Sequence, residues 1–539
     1  MNAARSIVYA RHGMVASAHP LATRIGTDIL ASGGSAIDAA IAANAALGFL
    51  EPMSCGIGGD LFAIIWDPKT QRIYGLNASG RAPRAIVPAR IPAGPDGEML
   101  PRTPYTWTVP GAVDGWVELH RRFGRRPLSE VLAPAIQAAD AGAPVPRVIA
   151  AAWERESLPV HHLPGFAATF LPGGRPPREG EIFRNAALAR TYRAIAERGR
   201  AGFHEGPVAA AIDAFSRQVG GYLNEEDLSL HRSEWVEPIC TSYRGTELWE
   251  LPPNSQGITA LQMLNILKAL DLRGCSRDTP DFWHELVEVK KLAFEDRARF
   301  IADPAFARDP TAYLLSWDHA RELAARVDMT TAAQGQQPYH PRLRVGDTTV
   351  VAAADEEGAM ISLLQSNYED FGSGYVVEEC GFALQNRGAQ FDLRPGRANS
   401  LAPGKRPFHT LMPALVTRDG QPWIAFGLMG GDMQPQGHVQ VLVNLLDCGM
   451  DLQEAGDAPR CYHTDSAEPT GLVTMGGGTL ALEPGISEDI RRELVRRGHR
   501  VREAATHAFG GYQAVARSPT TGVFAGATES RKDGCAMGY

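Results

Sequence analysis

A chain of 539 residues exceeds what one small hydrophobic core can organise, so two or three packing units or one large body are expected. With 44% hydrophobic and 21% charged residues it is globular in composition, and a formal net charge of −8 without long basic blocks argues against a nucleic-acid partner. Seven cysteines, scattered and without a CxxC pair, disfavour both a disulfide framework and a zinc site.

The first dozen residues lack an apolar core of signal-peptide length, and no run of about 18 apolar residues follows anywhere; a cytoplasmic protein with no membrane partner is expected. Ser35 is placed to cap an Ala-rich helix over 39–48, whose small side chains suit close packing against a sheet. The glycine-rich turn 56–59 then leads into an apolar strand, Leu61–Trp66. That turn lacks the GxGxxG spacing and a P-loop lysine, so tight backbone packing is the expected role. A second strand near Tyr74 runs into a loop carrying Arg81, which could hold a carboxylate with its planar fork or form a surface ion pair. From Val113 to about Gly220 the spacing is mainly helical, and the part after Arg147 reads as scaffold. Pro252–Gly257 ends a strand and caps a helix over 258–270, and a further amphipathic helix stops at Asp303-Pro304. Residues 316–344 are polar and aperiodic, the signature of a loop or linker.

A hairpin is expected next: strand 350–353, a charged turn at 355–358 and strand 359–364, with Thr348 and Thr349 at its leading edge. Farther on, Gly430-Gly431 stand at a strand-to-helix turn, where consecutive backbone N–H groups beside a helix N-terminus could form an oxyanion hole, with close packing as the competing explanation. HExxH and GxSxG are absent and the fifteen histidines are dispersed, so no metal and no cofactor are implied. A threonine hydroxyl is a weak nucleophile without an adjacent base. One solution is the α-amino group of the same residue, freed by cutting the preceding peptide bond.

Several motifs occur in order: Glu51-Pro52 with Gly56-Ile57-Gly58-Gly59, Val109-Pro110-Gly111, Pro252-Pro253 before Ser255-Gln256-Gly257, Lys291–Arg297, Asp347-Thr348-Thr349, Phe371–Gly374, Arg406-Pro407, Met412-Pro413, Gly430-Gly431 and the 531–539 ending. In this series the chain resembles the γ-glutamyltranspeptidase superfamily of N-terminal-nucleophile hydrolases over nearly its whole length. The resemblance implies an α+β fold, a four-layer αββα sandwich. It also implies autocatalytic cleavage between Asp347 and Thr348, giving a large subunit, 1–347, and a small one, 348–539, as one compact body. A homo-oligomer of such heterodimers is compatible with it. By the same resemblance Thr348 is the nucleophile, Ser366 the hydroxyl that hydrogen-bonds it, and Gly430 and Gly431 the oxyanion hole.

The pocket departs from the glutathione-processing members. Their arginine for the glutamyl carboxylate corresponds to Ser79, their aspartate for the amino group to Gln390, their paired serines to His409 and Thr410, and their lid asparagine to Tyr368. The segments around Arg81, Arg387, His409 and Gly430 look instead like the branch that includes oxamate amidohydrolase. The expected function is therefore hydrolysis of a small anionic amide, with Arg81 or Arg387 on the carboxylate and His409 or Gln390 orienting the amide. Alternatives are a γ-glutamyl or glutaryl-type acylase or transferase, and an uncleaved, ligand-binding pseudoenzyme.

Overall fold

A computed structural model describes residues 5–95, 97–270, 276–335, 346–471 and 476–539. The elements used below are strands β1 (Asp60–Asp67), β2 (Gly346–Asp355), β3 (Met360–Glu369) and β4 (Gln421–Leu428) and helices α1 (Ala36–Leu50), α2 (Gly257–Leu270), α3 (Pro280–Phe300) and α4 (Met433–Leu446).

Two seven-stranded sheets lie face to face. The first runs in the order 535–538, 13–17, β2, β3, β1, 72–78, 234–236; the second runs 8–10, 524–528, 512–517, β4, 414–418, 246–250, 239–243. The pleat of β2 shows how the layers are cemented. Val351 and Ala353 face the cluster under α1, whereas Val350, Ala352 and Ala354 face the cluster between the sheets. A third apolar cluster joins the second sheet to α2, α3 and α4. Three apolar seams between four layers make this an αββα sandwich of the α+β class.

Local sequence explains the placement of α1. Every residue of this helix is buried, and alanine lets it approach the sheet closely on one side and its neighbour helix on the other. Its start is fixed by a reciprocal capping box, in which Ser35 Oγ accepts from Asp38 N at 3.1 Å and Asp38 Oδ2 accepts from Ser35 N at 2.9 Å. The expected hairpin forms as β2 and β3, paired antiparallel, with Gly358 at φ 95° in its turn. The glycine turn before β1 packs backbone on backbone: a Cβ on Gly58 would lie 2.0 Å from the Ala383 carbonyl oxygen, and one on Gly59 2.3 Å from that of Ser366.

The polar stretch from Ser316 is not all loop. Residues Trp317–Ala324 form a helix capped by Ser316 Oγ, with Ala320 and Leu323 buried. The helical face is too short for its period to stand out among the polar residues. Residues 336–345 of that stretch lie outside those described. Among the described residues no helix is long and apolar enough to cross a membrane, and the described cysteines are free thiols.

Candidate active site

The pairing of β2 with β3 is regular from Ala354 back to Thr349, which lies opposite Gln365; the next pair is Asp347 with Tyr368. One residue of β2, Thr348, thus faces two of β3, Ser366 and Asn367, and β3 bulges there. Thr348 is buried, at 1% exposure. By strand alternation it shares the inter-sheet face with Val350, and Ser366 shares it with Leu364. Ser366 is in turn paired with Asp60, the first residue of β1. Thr348, Ser366 and Asp60 therefore form a polar row that closes one end of the apolar seam.

Arg387 fills the space beside this row. It is fully buried, donates from Nη1 to Thr410 Oγ1 at 2.8 Å and from Nη2 to Ser366 Oγ at 3.2 Å, and lies 4.5 Å from the centroid of the Tyr368 ring. Its Nε finds no partner among the described residues. Burial pulls the guanidinium down to about 10, opposed by the charge of Asp60. Asp60 shows the complementary effect: burial pushes its carboxyl up to about 6, against the pull of Arg387 and of hydrogen bonds from Gln385, Gly80 and Gly111.

His409 completes the Asp60 shell. Its Nδ1 accepts from Leu411 N at 3.2 Å, so the proton sits on Nε2, which donates to Asp60 Oδ2 at 3.1 Å. Burial, with Arg387 and Arg406 nearby, holds the imidazole well below its usual range and therefore neutral. Both ring nitrogens are engaged within the protein. Gln390 is bonded through Nε2 to the Tyr368 hydroxyl, and Tyr368 adopts φ 82°, a strained conformation for an aromatic residue.

Arg81 is placed differently. Its Nη2 donates to Glu234 at 2.8 Å, and its Nη1 to Asp303 at 3.3 Å and to the Gly404 carbonyl at 3.1 Å. Arg406 shares the same Glu234. The structure brings Arg387, Ser366, Thr410, His409, Tyr368 and Gln390 together but gives Arg81 to this ionic cluster.

The glycine pair approaches from the second sheet. A Cβ on Gly427 of β4 would meet Val350 and Leu364 at 2.9 Å, and Ser362 Oγ bonds the Phe426 carbonyl, so β4 climbs past β2 toward the Thr348 end. Beyond it, Gly430 and Gly431 take φ 113° and 57°. Their carbonyls accept from Met433 N and Gln434 N at 3.0 and 3.1 Å, inside the first turn of α4. Their own N–H groups bond no acceptor among the described residues. Two successive left-handed residues with unspent N–H groups beside a helix N-terminus are the kind of backbone that can donate twice to an anion.

A cavity of about 760 Å³ lies elsewhere, beside α3. Lys291, Arg299, Arg397 and Asp465 line it, and it touches Asn399, whose Nδ2 holds the Gln390 carbonyl. The dispersed histidines also hide one grouping: His284, Glu288 and His499 converge within 4.8 Å of one another. His284 Nδ1 and His499 Nε2 share a hydrogen bond of 2.8 Å, His284 Nε2 meets the Asp328 carbonyl, and Glu288 takes Lys291 and the Ala333 amide. The group closes on itself as a hydrogen-bond network.

Sequence reasoning assigned no role to Asp60 or Gln256. For Asp60 a signal existed: a carboxylate opening an apolar buried strand needs a specific reason to be there.

A γ-glutamyltranspeptidase family model matches residues 22–539. The chain is 35% identical over 528 residues to the glutathione hydrolase-like YwrD proenzyme of Bacillus subtilis, covering 97% of this chain and 98% of that protein. It is 35% identical over 537 residues to the oxamate amidohydrolase proenzyme of Klebsiella pneumoniae, covering 98% of each. Among solved structures, a cephalosporin acylase from Bacillus halodurans superposes with a TM-score of 0.92 at 42% identity, covering 100% of this chain and 98% of that one. The chain is an enzyme, an N-terminal-nucleophile amidohydrolase, and it belongs to the γ-glutamyltranspeptidase family.

Proposed function

We propose that this protein cuts itself between Asp347 and Thr348 and then hydrolyses a small anionic amide, with Thr348 as nucleophile. The observation that carries the reading is Arg387: a buried guanidinium beside Ser366, with a spare Nε–H, at the end of the row that holds Thr348. That is a carboxylate receptor next to a nucleophile.

In this reading the freed α-amine of Thr348, with a reference pKa of about 7.7–8.0, takes the proton of Oγ as Oγ attacks the amide carbonyl. Ser366 orients the hydroxyl. The Gly430 and Gly431 amides receive the developing oxyanion. The protonated amine then delivers its proton to the departing nitrogen, ammonia or an amine leaves, and water cleaves the acyl-enzyme by the same path. Thr410 and Asp60 hold Arg387, and the Tyr368–Gln390 pair walls the pocket. Release of 348–539 from 1–347 would leave both pieces in the same two sheets. The same Klebsiella relative, an oxamate amidohydrolase proenzyme, supports oxamate as the first substrate to test.

The superposition on a cephalosporin acylase favours a second reading, a glutaryl-type acylase, in which Arg387 meets the distal carboxylate of a longer acyl chain. Intact mass and a panel of oxamate, glutaryl amides and glutathione, read by ammonia or amine release, test both. Thr348→Ala is expected to remain one 58.1 kDa chain without activity, and a cut in that variant would overturn the nucleophile. Arg387→Ala should raise KM for the preferred anion by about 100-fold, the worth of a charge-assisted pair, whereas Arg81→Ala should leave KM unchanged. An unaltered KM in Arg387→Ala would remove the anion reading.

A further inference from the structure

The amides of Gly430 and Gly431 are useful only if their direction is held, and glycine by itself holds nothing. Three side chains meet on the other side of this turn. Arg297, on α3, is fully buried and forks onto Asp432, the residue directly after the pair, with Nη1 to Oδ1 at 2.5 Å and Nη2 to Oδ2 at 3.2 Å. The same Nη1 donates to Gln256 Oε1 at 2.8 Å. The other end of that carboxamide, Nε2, donates to the carbonyls of Gly431 at 3.0 Å and Thr410 at 2.8 Å. The guanidinium is itself pressed against the Phe294 ring, 3.8 Å from its centroid.

The chain of contacts runs in one direction: a planar fork on a long helix, a carboxylate and a carboxamide each held by it, and the Gly431 carbonyl held by the carboxamide. Gly430 O is already fixed by Met433 N. With both carbonyls and the following residue pinned, the torsions left to the glycines are few, and their N–H groups keep one heading. A lysine could not do this, because a point charge cannot hold Asp432 and Gln256 in one plane.

We propose that Arg297, Gln256 and Asp432 form a positioning clamp that aims the Gly430 and Gly431 amides at the oxyanion, none of the three touching substrate. This rests on reading the glycine pair as the oxyanion hole. The clamp acts on transition-state stabilisation and not on substrate binding, so its loss belongs in kcat.

The test compares Arg297→Lys, Gln256→Met and their double variant with the wild type, on whichever amide of the panel the wild type hydrolyses. Rates are expressed per processed chain, counted by intact mass, with thermal unfolding as the check on fold. The expected result is a fall in kcat of about 10- to 1,000-fold, the range for a misplaced oxyanion donor, with KM within about twofold. The double variant should fall no further than Arg297→Lys, since the two residues act in series. A kcat within twofold of wild type, or a loss confined to KM, overturns the clamp. So does a folded variant that stays uncut, because the clamp does not address the Asp347–Thr348 bond. If Arg297→Lys does not fold, Gln256→Met, which removes no charge, decides alone. Gly431→Ala separates the two readings: if it turns over like the wild type, the oxyanion hole itself is misassigned; if it is impaired and the clamp variants are not, only the clamp falls.

Discussion

Two glycine pairs, 58–59 and 430–431, each stand at a turn near the polar row, and they are glycines for opposite reasons. At 58–59 the backbone torsions are ordinary and space is the constraint: a methyl group would enter the carbonyl oxygens of Ala383 and Ser366. At 430 there is more room, the nearest atom to a Cβ being Met433 Cβ at 3.1 Å, and φ is positive at both 430 and 431. The amides differ accordingly. Gly59 N is spent on the Gly56 carbonyl at 3.0 Å, whereas those of 430 and 431 bond no acceptor among the described residues. A glycine doublet in sequence marks a demand on the backbone; only the fate of its N–H groups tells packing from binding.

The sharpest way to break that contrast is Gly59→Ala, which must move the β3 backbone at Ser366. We expect a loss of more than about 3 kcal/mol, in the overpacking range and beyond, seen as little soluble protein or a collapsed unfolding midpoint; normal stability would show that the turn can yield. Gly431→Ala should do the reverse, costing only about 1 kcal/mol of stability for a left-handed alanine while kcat drops at least about tenfold. A variant that lost stability and kept its rate would make 431 a packing residue like 59.

Asp60 directly follows the first of these turns, and its charge acts on Arg387. Its carboxyl rises from 3.8 to about 6 in the fold, so between those values the folded chain keeps a proton that the unfolded chain has lost. Stability conferred by the protonated form is therefore present below about pH 4 and lost as pH rises toward 6, an amount of about 3 kcal/mol. In the uncut Thr348→Ala background, Asp60→Asn should abolish that decline, as followed by urea unfolding from pH 4 to 7. A parallel decline in both proteins would place the titrating group elsewhere.

How much of this was legible follows from where the information sits. The capping box of α1 and the β2–β3 hairpin are local, and Ser35, Asp38 and Gly358 announce them. The motif series pointed to Thr348, Ser366 and the glycine pair as candidates. What sequence could not give is pairing across hundreds of residues. Arg81 and Arg387 look equally able to hold a carboxylate until Glu234 and Asp303 are seen to occupy the first. His409 reads as a free imidazole until Asp60 and the Leu411 amide take both nitrogens. Dispersed histidines 284 and 499 become neighbours only through the packing of α3.

The strand order holds one more consequence. In the first sheet, β2 lies between strand 13–17 and β3, and strand 535–538 lies outside 13–17; in the second, 8–10 borders 524–528 and 414–418 borders 246–250. With β3 also bordering β1, segments before and after residue 347 are interwoven five times at their hydrogen-bonded edges, like the fingers of clasped hands. Such a weave is reached readily by a single thread and with difficulty by two. A break at the proposed site, 347–348, would be harmless after folding and ruinous before it, so processing there would keep a record of birth: a working two-piece enzyme would certify that it was once a correctly folded single chain.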